Sequence, residues 1–528
     1  SNGVPVQPIV AAHNIADWMQ GLFSVSESQD GVPLANYRNW YTAFYLQDNW
    51  RVTQKLTINY GLRWENYTPW VDKFDHIINI DLNWDNSVFQ TFVRAGKGDP
   101  FEGGMCCPMP SSIPYVRDGR RGRGVQKNQL DNFGPRLGIA YSLTPKTVIR
   151  TGAGIYYVQE IQNKNFEVVR NAPLSIRRNE PANNTFPNLT WNNLSTAPNI
   201  PSLMFTHEYD APRPRVAQWS VGLQRQLNSE MSIEAKYVGS SGMFLEGSGT
   251  MNQPGPGAGN INARRPFPLF PGTFVYMESA FHSSYHSLQS RFQHRPARGL
   301  NLLTAFTWGK TIDDNSAYRI QLGDGGTANP YNKRMSRALS AFDYRRNLTT
   351  SLMYELPFGK GKHFFDSANK AMDMVIGRWQ IGSIITLIDG FPFSAVCGTG
   401  AVQNGGGTCY PDVIAGVQPN LPRGEQDPRR WVNPAAFVNR LPDSGFRYGT
   451  SGRNVLRGPG TINWDFSILK DFPITERHNL EFRLEMFNFP NHPNFGLPGG
   501  AVQTPTFGVI SQTATDNRQI QLALRYSF

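Results

Sequence analysis

The sequence predicts an all-β fold, a transmembrane antiparallel β-barrel. Three features predict it: the chain's last strand, an alternating pattern that recurs along the chain, and the lengths of the connections. Residues 518–528 place their apolar side chains on one face of a strand and polar or small ones on the other. Soluble domains usually end in polar residues that fray. Here one face ends on an aromatic residue; its members are Ile520, Leu522, Leu524, Tyr526 and Phe528.

Alternation with a period of two recurs over much of the chain. It is clearest in residues 55–67, 133–141, 217–223, 302–308, 462–468 and 480–486. We expect about 14 strands, with about 13 of them from Tyr41 onward and one more in residues 23–29.

Short and long connections alternate between these strands. Short turns are expected at 53–55, 144–146, 228–230, 296–299 and 473–476, and long excursions at 68–132, 159–213, 242–283, 311–342, 390–460 and 491–517. The connector 357–378 is of middling length in a short-turn position, and its residues 368–376 predict a brief helix. Alternation of this kind is typical of barrels with short periplasmic turns and long extracellular loops.

The composition agrees with such a barrel. Apolar residues make up 39% of the chain, charged residues 17% and aromatic residues 12%, with a mean hydropathy of −0.42. In a membrane barrel half of each strand faces lipid and half faces a polar lumen, and aromatic residues gather at the two interfaces. No run of about 18 apolar residues predicts a transmembrane helix. No signal peptide opens the chain, so we expect its start to be a mature terminus or a cut.

The formal net charge is +11, and the densest basic run is residues 117–123. This run fits either attraction to anionic lipopolysaccharide or another anionic ligand, or an ordinary solvated loop. No nucleic-acid-reading fold accompanies it, so we expect no nucleic-acid partner. Cys397 and Cys409 share a glycine-rich segment and could close a loop disulfide. The adjacent Cys106 and Cys107 make a simple bridge within one loop awkward.

Several strings resemble one protein family. Residues 44–53 (FYLQDNWRVT) and 56–65 (LTINYGLRWE) are similar to a hairpin of TonB-dependent outer-membrane receptors. Residues 132–138 (NFGPRLG), 479–488 (NLEFRLEMFN) and 524–528 (LRYSF) resemble further strands of that family. The proline-rich long loops and residues 342–347 (FDYRRN) are similar to its Oar-like subgroup. The resemblance runs from about His13 to Phe528.

The resemblance implies a receptor in the bacterial outer membrane, among lipid and lipopolysaccharide, with its loops facing the cell exterior. Those loops would capture a bulky or scarce ligand for uptake or export, and TonB would act through an amino-terminal plug. Leu522, Leu524, Tyr526 and Phe528 would then be the signal that the barrel-assembly machinery reads. Aromatic residues point to the loop segments 191–205, 267–277 and 391–410 as places for a ligand.

The chain departs from this family in length. Family barrels have about 22 strands, and no plug is recognised here. We therefore expect residues 1–40 to be a lead-in with one strand and residues 41–528 to be barrel. An amino-terminal plug and barrel segment would complete the wall, unless the chain is a fragment or closes as a smaller barrel. The alternative functions are a plug-free passive porin or a surface adhesin, and, in another class, a soluble secreted β-rich protein.

No catalytic constellation is recognised, so we expect no enzyme, no cofactor and no metal site. His282 and His286 lie too far apart on a strand to share one metal without help. Glu481, Arg483 and Glu485 share one face of a strand. They predict either a lumen charge network that contacts a plug or ligand, or ordinary solvation of the lumen.

Overall fold

The structure is a computed structural model that describes residues 25–31, 34–84, 89–103, 113–159, 163–181, 204–270, 272–297, 299–317, 327–398, 407–439 and 445–528. Most strands belong to one antiparallel sheet, in which 13 strands pair with their neighbours in chain order. We call these 13 strands the wall. With strands numbered along the chain, they are β3 Tyr41–Arg51, β4 Leu56–Tyr67, β9 Phe133–Thr144, β10 Thr147–Tyr157, β13 Arg215–Gln226, β14 Met231–Met251, β15 Phe274–Ala297, β16 Leu300–Asp313, β18 Arg346–Glu355, β19 Trp379–Ile388, β24 Thr461–Pro473, β25 Asn479–Phe487 and β26 Gln519–Ser527.

The remaining strands lie in or before the long connections. They are β1 Val25–Asp30, β2 Tyr37–Arg38, β5 Val71–Asp72, β6 Ile78–Trp84, β7 Phe89–Arg94, β8 Tyr115–Val116, β11 Ile176–Pro181, β12 Phe205–His207, β17 Ala338–Leu339, β20 Pro392–Phe393, β21 Asp412–Val413, β22 Phe437–Val438 and β23 Leu456–Arg457. Two helices, α1 Asn163–Val168 and α2 Lys370–Ile376, and short 3-10 turns at Asn262–Arg264, Lys333–Ser336, Arg423–Glu425 and Pro434–Ala436 complete the described elements. We use the name loop layer for the described residues of the long connections between wall strands, together with β1 and β2.

The predicted alternation of connections is confirmed. The wall strands are joined in pairs by residues 52–55, 145–146, 227–230, 298–299, 356–378 and 474–478, and the long connections all leave from the opposite ends of the strands. The brief helix expected in residues 368–376 forms as α2, with the Asn369 side chain accepting a hydrogen bond from the backbone of Met372. No helix among the described residues is long and apolar enough to cross a membrane.

The strand expected in residues 23–29 forms as β1 but does not join the wall. It pairs with β11, which lies in the connection between β10 and β13. Similarly, β2 pairs with β5 in the connection after β4. The described residues before β3, 25–31 and 34–40, therefore belong to the loop layer, and the 13 strands of the wall agree with the about 13 expected from Tyr41 onward.

Register assigns every wall residue to one of two faces. On β4 the polar face carries Thr57, Asn59, Gly61 and Arg63, and cross-strand partners extend this face through the wall. The apolar face carries large side chains that are nonetheless exposed: Leu46 is 80% exposed and Trp308 51%. Buried apolar side chains instead lie in the loop layer, at the far end of β15 and in the α2 connector. An apolar face this exposed excludes burial between two stacked sheets and suits contact with lipid.

Lys470 and Asp48 are charged residues of the apolar face that lie at the short-turn ends of their strands. The Lys470 ammonium group donates to the Gly377 carbonyl and lies over the rings of Trp379 and Phe472, 5.0 and 5.1 Å from their centroids. The Asp48 carboxylate accepts a hydrogen bond of 3.1 Å from the Tyr60 hydroxyl. Both therefore have polar partners near a membrane boundary, where charged groups are tolerated better than at the centre.

The wall has two edges. Within the described residues β3 pairs only with β4, and β26 pairs only with β25. Nearly all residues of both strands are exposed on both faces. Both strands run from the long-connection side to the short-turn side, because an antiparallel succession of 13 strands begins and ends in the same direction. The two edges therefore cannot join each other as an antiparallel pair.

The face assignment predicts different costs for neighbouring substitutions on β18. Leu352 lies on the apolar face and Ser351 on the polar face. Leu352→Arg should destabilise the protein by about 2–4 kcal/mol near the bilayer midplane, because it moves a charge into lipid. Ser351→Arg places the same charge in water and should cost less than about 1 kcal/mol. Urea unfolding in lipid vesicles measures both, and equal costs would contradict the assignment.

Candidate functional site: the polar face and the loop layer

The polar face of the wall is concave. One cavity of about 690 Å³ lies against polar-face residues from β3 to β15, among them Gln47, Arg136, Lys236 and Gln289. A second, of about 450 Å³, lies against polar-face residues from β15 to β25. Both cavities are on the same side of the sheet, so the wall curves around its polar face. A molecule inside the curve meets polar side chains, and lipid outside meets apolar ones.

The predicted charge network is brought together in part. The Arg483 guanidinium donates to the Glu481 carboxylate on the same strand. Register places Arg525 and Asp471 directly opposite Glu481 on the two flanking strands. Glu485 makes no ion pair among the described residues and instead lines the second cavity with Asp465. The three residues thus form one ion pair and one separate carboxylate rather than a single cluster.

The carboxyl-terminal residues lie along an unpaired edge. Leu522, Leu524, Tyr526 and Phe528 are 68%, 70%, 53% and 90% exposed on the apolar side of β26. The Tyr526 hydroxyl lies 2.6 Å from Nδ1 of His478, which anchors the end of the strand to the neighbouring turn. The other long side of β26 has no strand partner among the described residues.

A disulfide joins Cys397 and Cys409 in the loop layer, with their Cα atoms 5.4 Å apart. The backbone amide of Cys397 also donates to the Cys409 carbonyl at 2.9 Å. The bond ties together the ends of a glycine-rich loop. Cys106 and Cys107 lie outside the described residues.

The basic run 117–123 is neutralised within the loop layer. Arg117 is buried and pairs with Asp75 and Glu102 at 3.2 and 2.6 Å, and Arg123 pairs with Asp75 at 2.7 Å. The other two arginines of the run, Arg120 and Arg121, pair with Asp118 and Asp81, respectively. Each arginine of the run has a carboxylate partner, so the run serves to hold the loop layer together. This geometry favours neither of the two sequence interpretations, a free anion-binding patch or a simply solvated loop.

Five aromatic residues of the described parts of these loop segments are buried, whereas Phe267, Tyr276 and Phe391 are half-buried. Phe205, Phe270, Phe274, Phe393 and Tyr410 are all at most 5% exposed. The four phenylalanines pack in apolar clusters, which leaves them unavailable to a ligand in this structure. Residues 191–203 lie outside the described residues.

Two arginines missed by the sequence interpretation form long-range ion pairs, and the first of these pairs anchors the loop layer to the wall. Arg453 and Asp313 are each 2% exposed and form an ion pair at the end of β16, where Arg453 also donates to the Ser336 carbonyl at 2.9 Å. Arg457 pairs with the buried Asp343 at 2.6 Å, just before β18. Along the sequence, Arg453 lies 140 residues from Asp313, and Arg457 lies 114 residues from Asp343. No local pattern in the sequence marks such pairs.

A further buried charge lies on the part of β15 that extends into the loop layer. Burial raises the pKa of the Glu278 carboxyl, because the charged form loses its hydration. The Lys333 ammonium group, 2.8 Å away, opposes that shift, since its hydrogen bond and charge favour the carboxylate. With 24 residues, β15 is far longer than the 9–11 or so needed to cross a bilayer, so its far end stands clear of the membrane.

Comparison with known proteins identifies the family. The profile of the outer membrane beta barrel domain matches residues 2–521, almost the whole chain. This chain belongs to the outer membrane β-barrel family. It therefore lies in the bacterial outer membrane, with the apolar face of its wall toward lipid, the polar face toward the lumen, and the long loops toward the cell exterior. No curated protein gives a sequence match.

Solved structures with some likeness include the outer membrane transporter YddB from Escherichia coli, at 11% identity and a TM-score of 0.45, over 95% of this chain and 55% of that one. The FrpB iron transporter from Neisseria meningitidis has 11% sequence identity and a TM-score of 0.42, over 98% of this chain and 49% of that one. The siderophore receptor PiuA from Acinetobacter baumannii has 9% sequence identity and a TM-score of 0.41, over 92% of this chain and 43% of that one. The barrel chain thus spans about half the length of these proteins, and scores this low carry no functional argument.

The buried anchor predicts a large effect for Arg453. Arg453→Ala leaves the Asp313 carboxylate buried without this cation and should destabilise the loop layer by about 3–5 kcal/mol. Arg447 and Asp412 form a matched ion pair at 2.8 Å in the same layer, in which Arg447 is half exposed. Arg447→Ala should cost less than about 1 kcal/mol. Proteolysis of the outer loops in denaturant gives both values, and a small effect at Arg453 would refute the anchor.

Proposed function

We propose that this barrel chain is part of a TonB-dependent receptor of the Oar-like kind, which moves a bulky or scarce ligand across the outer membrane. The observation that carries the proposal is the pair of open edges on β3 and β26. Unpaired backbone groups are not tolerated in lipid, because no water is there to replace the missing hydrogen bonds. The wall therefore needs further strands.

The direction of the two edge strands restricts how many further strands can fill the gap between β3 and β26. Since β3 and β26 run the same way, only an odd number of added strands gives antiparallel pairs on both sides. Thirteen strands plus an odd number make an even total, as bacterial single-chain barrels have. A total of about 22, as in plugged transporters, meets this condition. A small porin made of these 13 strands alone does not.

The sequence strings supply the second support. The hairpin that resembles TonB-dependent receptors forms β3 and β4 in register, with Gln47 opposite Gly61 and Phe44 opposite Trp64. The proposed amino-terminal segment would contribute the missing strands, the plug and the contact with TonB. The 528-residue chain would supply the greater part of the wall and the extracellular loops.

Conductance separates the receptor from a passive porin. The native protein, extracted in detergent and inserted into a planar lipid bilayer, should show no stable open channel, because a plug fills the lumen. Mass spectrometry of the same material should find peptides from a segment upstream of Ser1. Steady ion current together with no upstream peptides would favour the plug-free porin and overturn the proposal.

The carboxyl-terminal residues are proposed as the signal for barrel assembly. Phe528→Gln should lower the amount of folded protein in the outer membrane several-fold, because it removes the terminal aromatic group from the apolar side of β26. The matched change Ser527→Gln alters the neighbouring polar-face position and should have little effect. Outer-membrane fractions of cells that express each variant give the amounts. Equal levels for both variants would exclude a role for the aromatic terminus.

A further inference from the structure

The charges of the lumen face are segregated. Between β4 and β15 the polar face carries five basic residues, which are Arg63, Arg136, Arg150, Lys236 and Arg291. Between β18 and β25 it carries five acidic residues, which are Glu355, Asp465, Asp471, Glu481 and Glu485. The basic part also contains two acidic residues, and each has a basic neighbour. Glu65 pairs with Arg63, and Glu234 lies opposite Arg291. In the acidic part, Arg483 pairs with Glu481, and Arg525 lies opposite Glu481.

The two lumen cavities follow this segregation. The larger cavity is lined by Arg63, Arg136 and Lys236 and by no acidic residue. The smaller one is lined by Asp465 and Glu485 and by no basic residue. We call the larger cavity the basic recess.

Two cations of the basic recess have no carboxylate partner. Among the described residues neither Arg136 nor Lys236 makes an ion pair, whereas Arg63 pairs with Glu65. Arg136 is instead held over the Tyr156 ring, 4.7 Å from its centroid. Six strand spacings, or about 29 Å along the wall, separate Arg136 on β9 from β18, the first strand of the acidic part. Because this exceeds the Debye length of about 8 Å at physiological ionic strength, the acidic part of the lumen does not neutralise the recess.

Glycines give the basic recess its depth. Gly138 and Gly152 face each other across β9 and β10, with ordinary negative φ angles. A Cβ atom at Gly138 would lie 3.8 Å from its nearest neighbour, in Asn59, and one at Gly152 would lie 3.4 Å from the Leu137 carbonyl. Neither backbone conformation nor close packing therefore requires glycine at these positions. Glycine weakens a strand by roughly 0.5–1 kcal/mol relative to alanine, and in a strand interior it often marks the close approach of a ligand.

We propose that the basic recess binds an anionic group inside the lumen, of the carboxylate or phosphate class. The Arg136 guanidinium presents a planar donor set that matches the two oxygens of such a group. The Lys236 ammonium group supplies a second charge, and the floor of Gly138 and Gly152 admits the group to the wall. The inference rests on the polar face being the lumen and holds whether or not TonB drives transport.

Citrate is a suitable probe, since it carries three carboxylates, and glycerol is the neutral comparison. Titration calorimetry on the detergent-solubilised protein at physiological salt should show citrate binding and no glycerol binding. The double variant Arg136→Gln and Lys236→Gln should weaken citrate binding at least tenfold. The control pair Arg483→Gln and Arg525→Gln removes the same charge from the acidic part of the lumen and should change it less than twofold.

A third variant separates the recess from net charge. Gly138→Val leaves all charges in place and occupies the floor, so it should also weaken citrate binding at least tenfold while the protein remains folded. Equal citrate affinity in the wild type, the basic double variant and Gly138→Val would overturn the proposal.

The same titration on the protein with its upstream segment identifies the source of the anion. Binding of citrate there supports a free solute as the occupant. Exclusion of citrate from the longer protein, with binding to the 528-residue chain, supports a carboxylate of the upstream segment. Absence of citrate binding to both proteins overturns the proposal, and it leaves the conductance and mass-spectrometry results of the receptor proposal unaffected.

Discussion

Backbone hydrogen bonding in lipid is the constraint on which the structure of this barrel depends. Inside the bilayer each amide and carbonyl group needs a partner from the protein, because no water is available. The wall meets this condition along every strand from β4 to β25, each of which pairs on both sides. Among the described strands of the wall, only β3 and β26 leave one side unpaired. The proposal of added strands rests on those two edges, and their shared direction requires the number of added strands to be odd.

The wall and the loop layer are stabilised by different interactions. The wall has no buried apolar core in its membrane part, since its large side chains face lipid and its polar ones face the lumen. The loop layer has apolar clusters around Phe92 and Phe437, like a soluble domain. The buried ion pair between Arg453 and Asp313 joins the two parts. The loop layer is therefore a folded cap attached to the wall, and its buried aromatic residues support its own packing.

Much of the wall could be predicted from the sequence, because period-two alternation is a local signal. The residues of β4 and β26 show their two faces directly, and connection length gives the side of the membrane. The strand at Val25–Asp30 shows the limit of such signals, since alternation does not say which neighbour a strand pairs with. Likewise, the sequence places Glu481, Arg483 and Glu485 on one face, but only register shows that Glu485 lies apart with Asp465.

Long-range partners could not be predicted at all. The pairing of Arg453 with Asp313 joins positions 140 residues apart, and no spacing rule connects them. The basic recess is similar, because Arg136 and Lys236 belong to strands three positions apart in the sheet. Glycine at positions 138 and 152 reads as a small residue on a polar face. Only the strand register shows that the two glycines lie opposite each other, beside an arginine without a carboxylate partner.

The most direct test of the account is the distance across the gap between β3 and β26 in the native protein. Gln47 and Ala523 both lie on the lumen face. In a variant whose native cysteines are replaced by serine, a cysteine introduced at each of these two positions carries a spin label. Pulsed electron paramagnetic resonance then measures the distance between the two labels. With strands about 4.8 Å apart and about nine of them inserted, the account predicts a separation beyond about 25 Å. A separation near 10 Å or less would show that these 13 strands close on each other, and it would contradict the account.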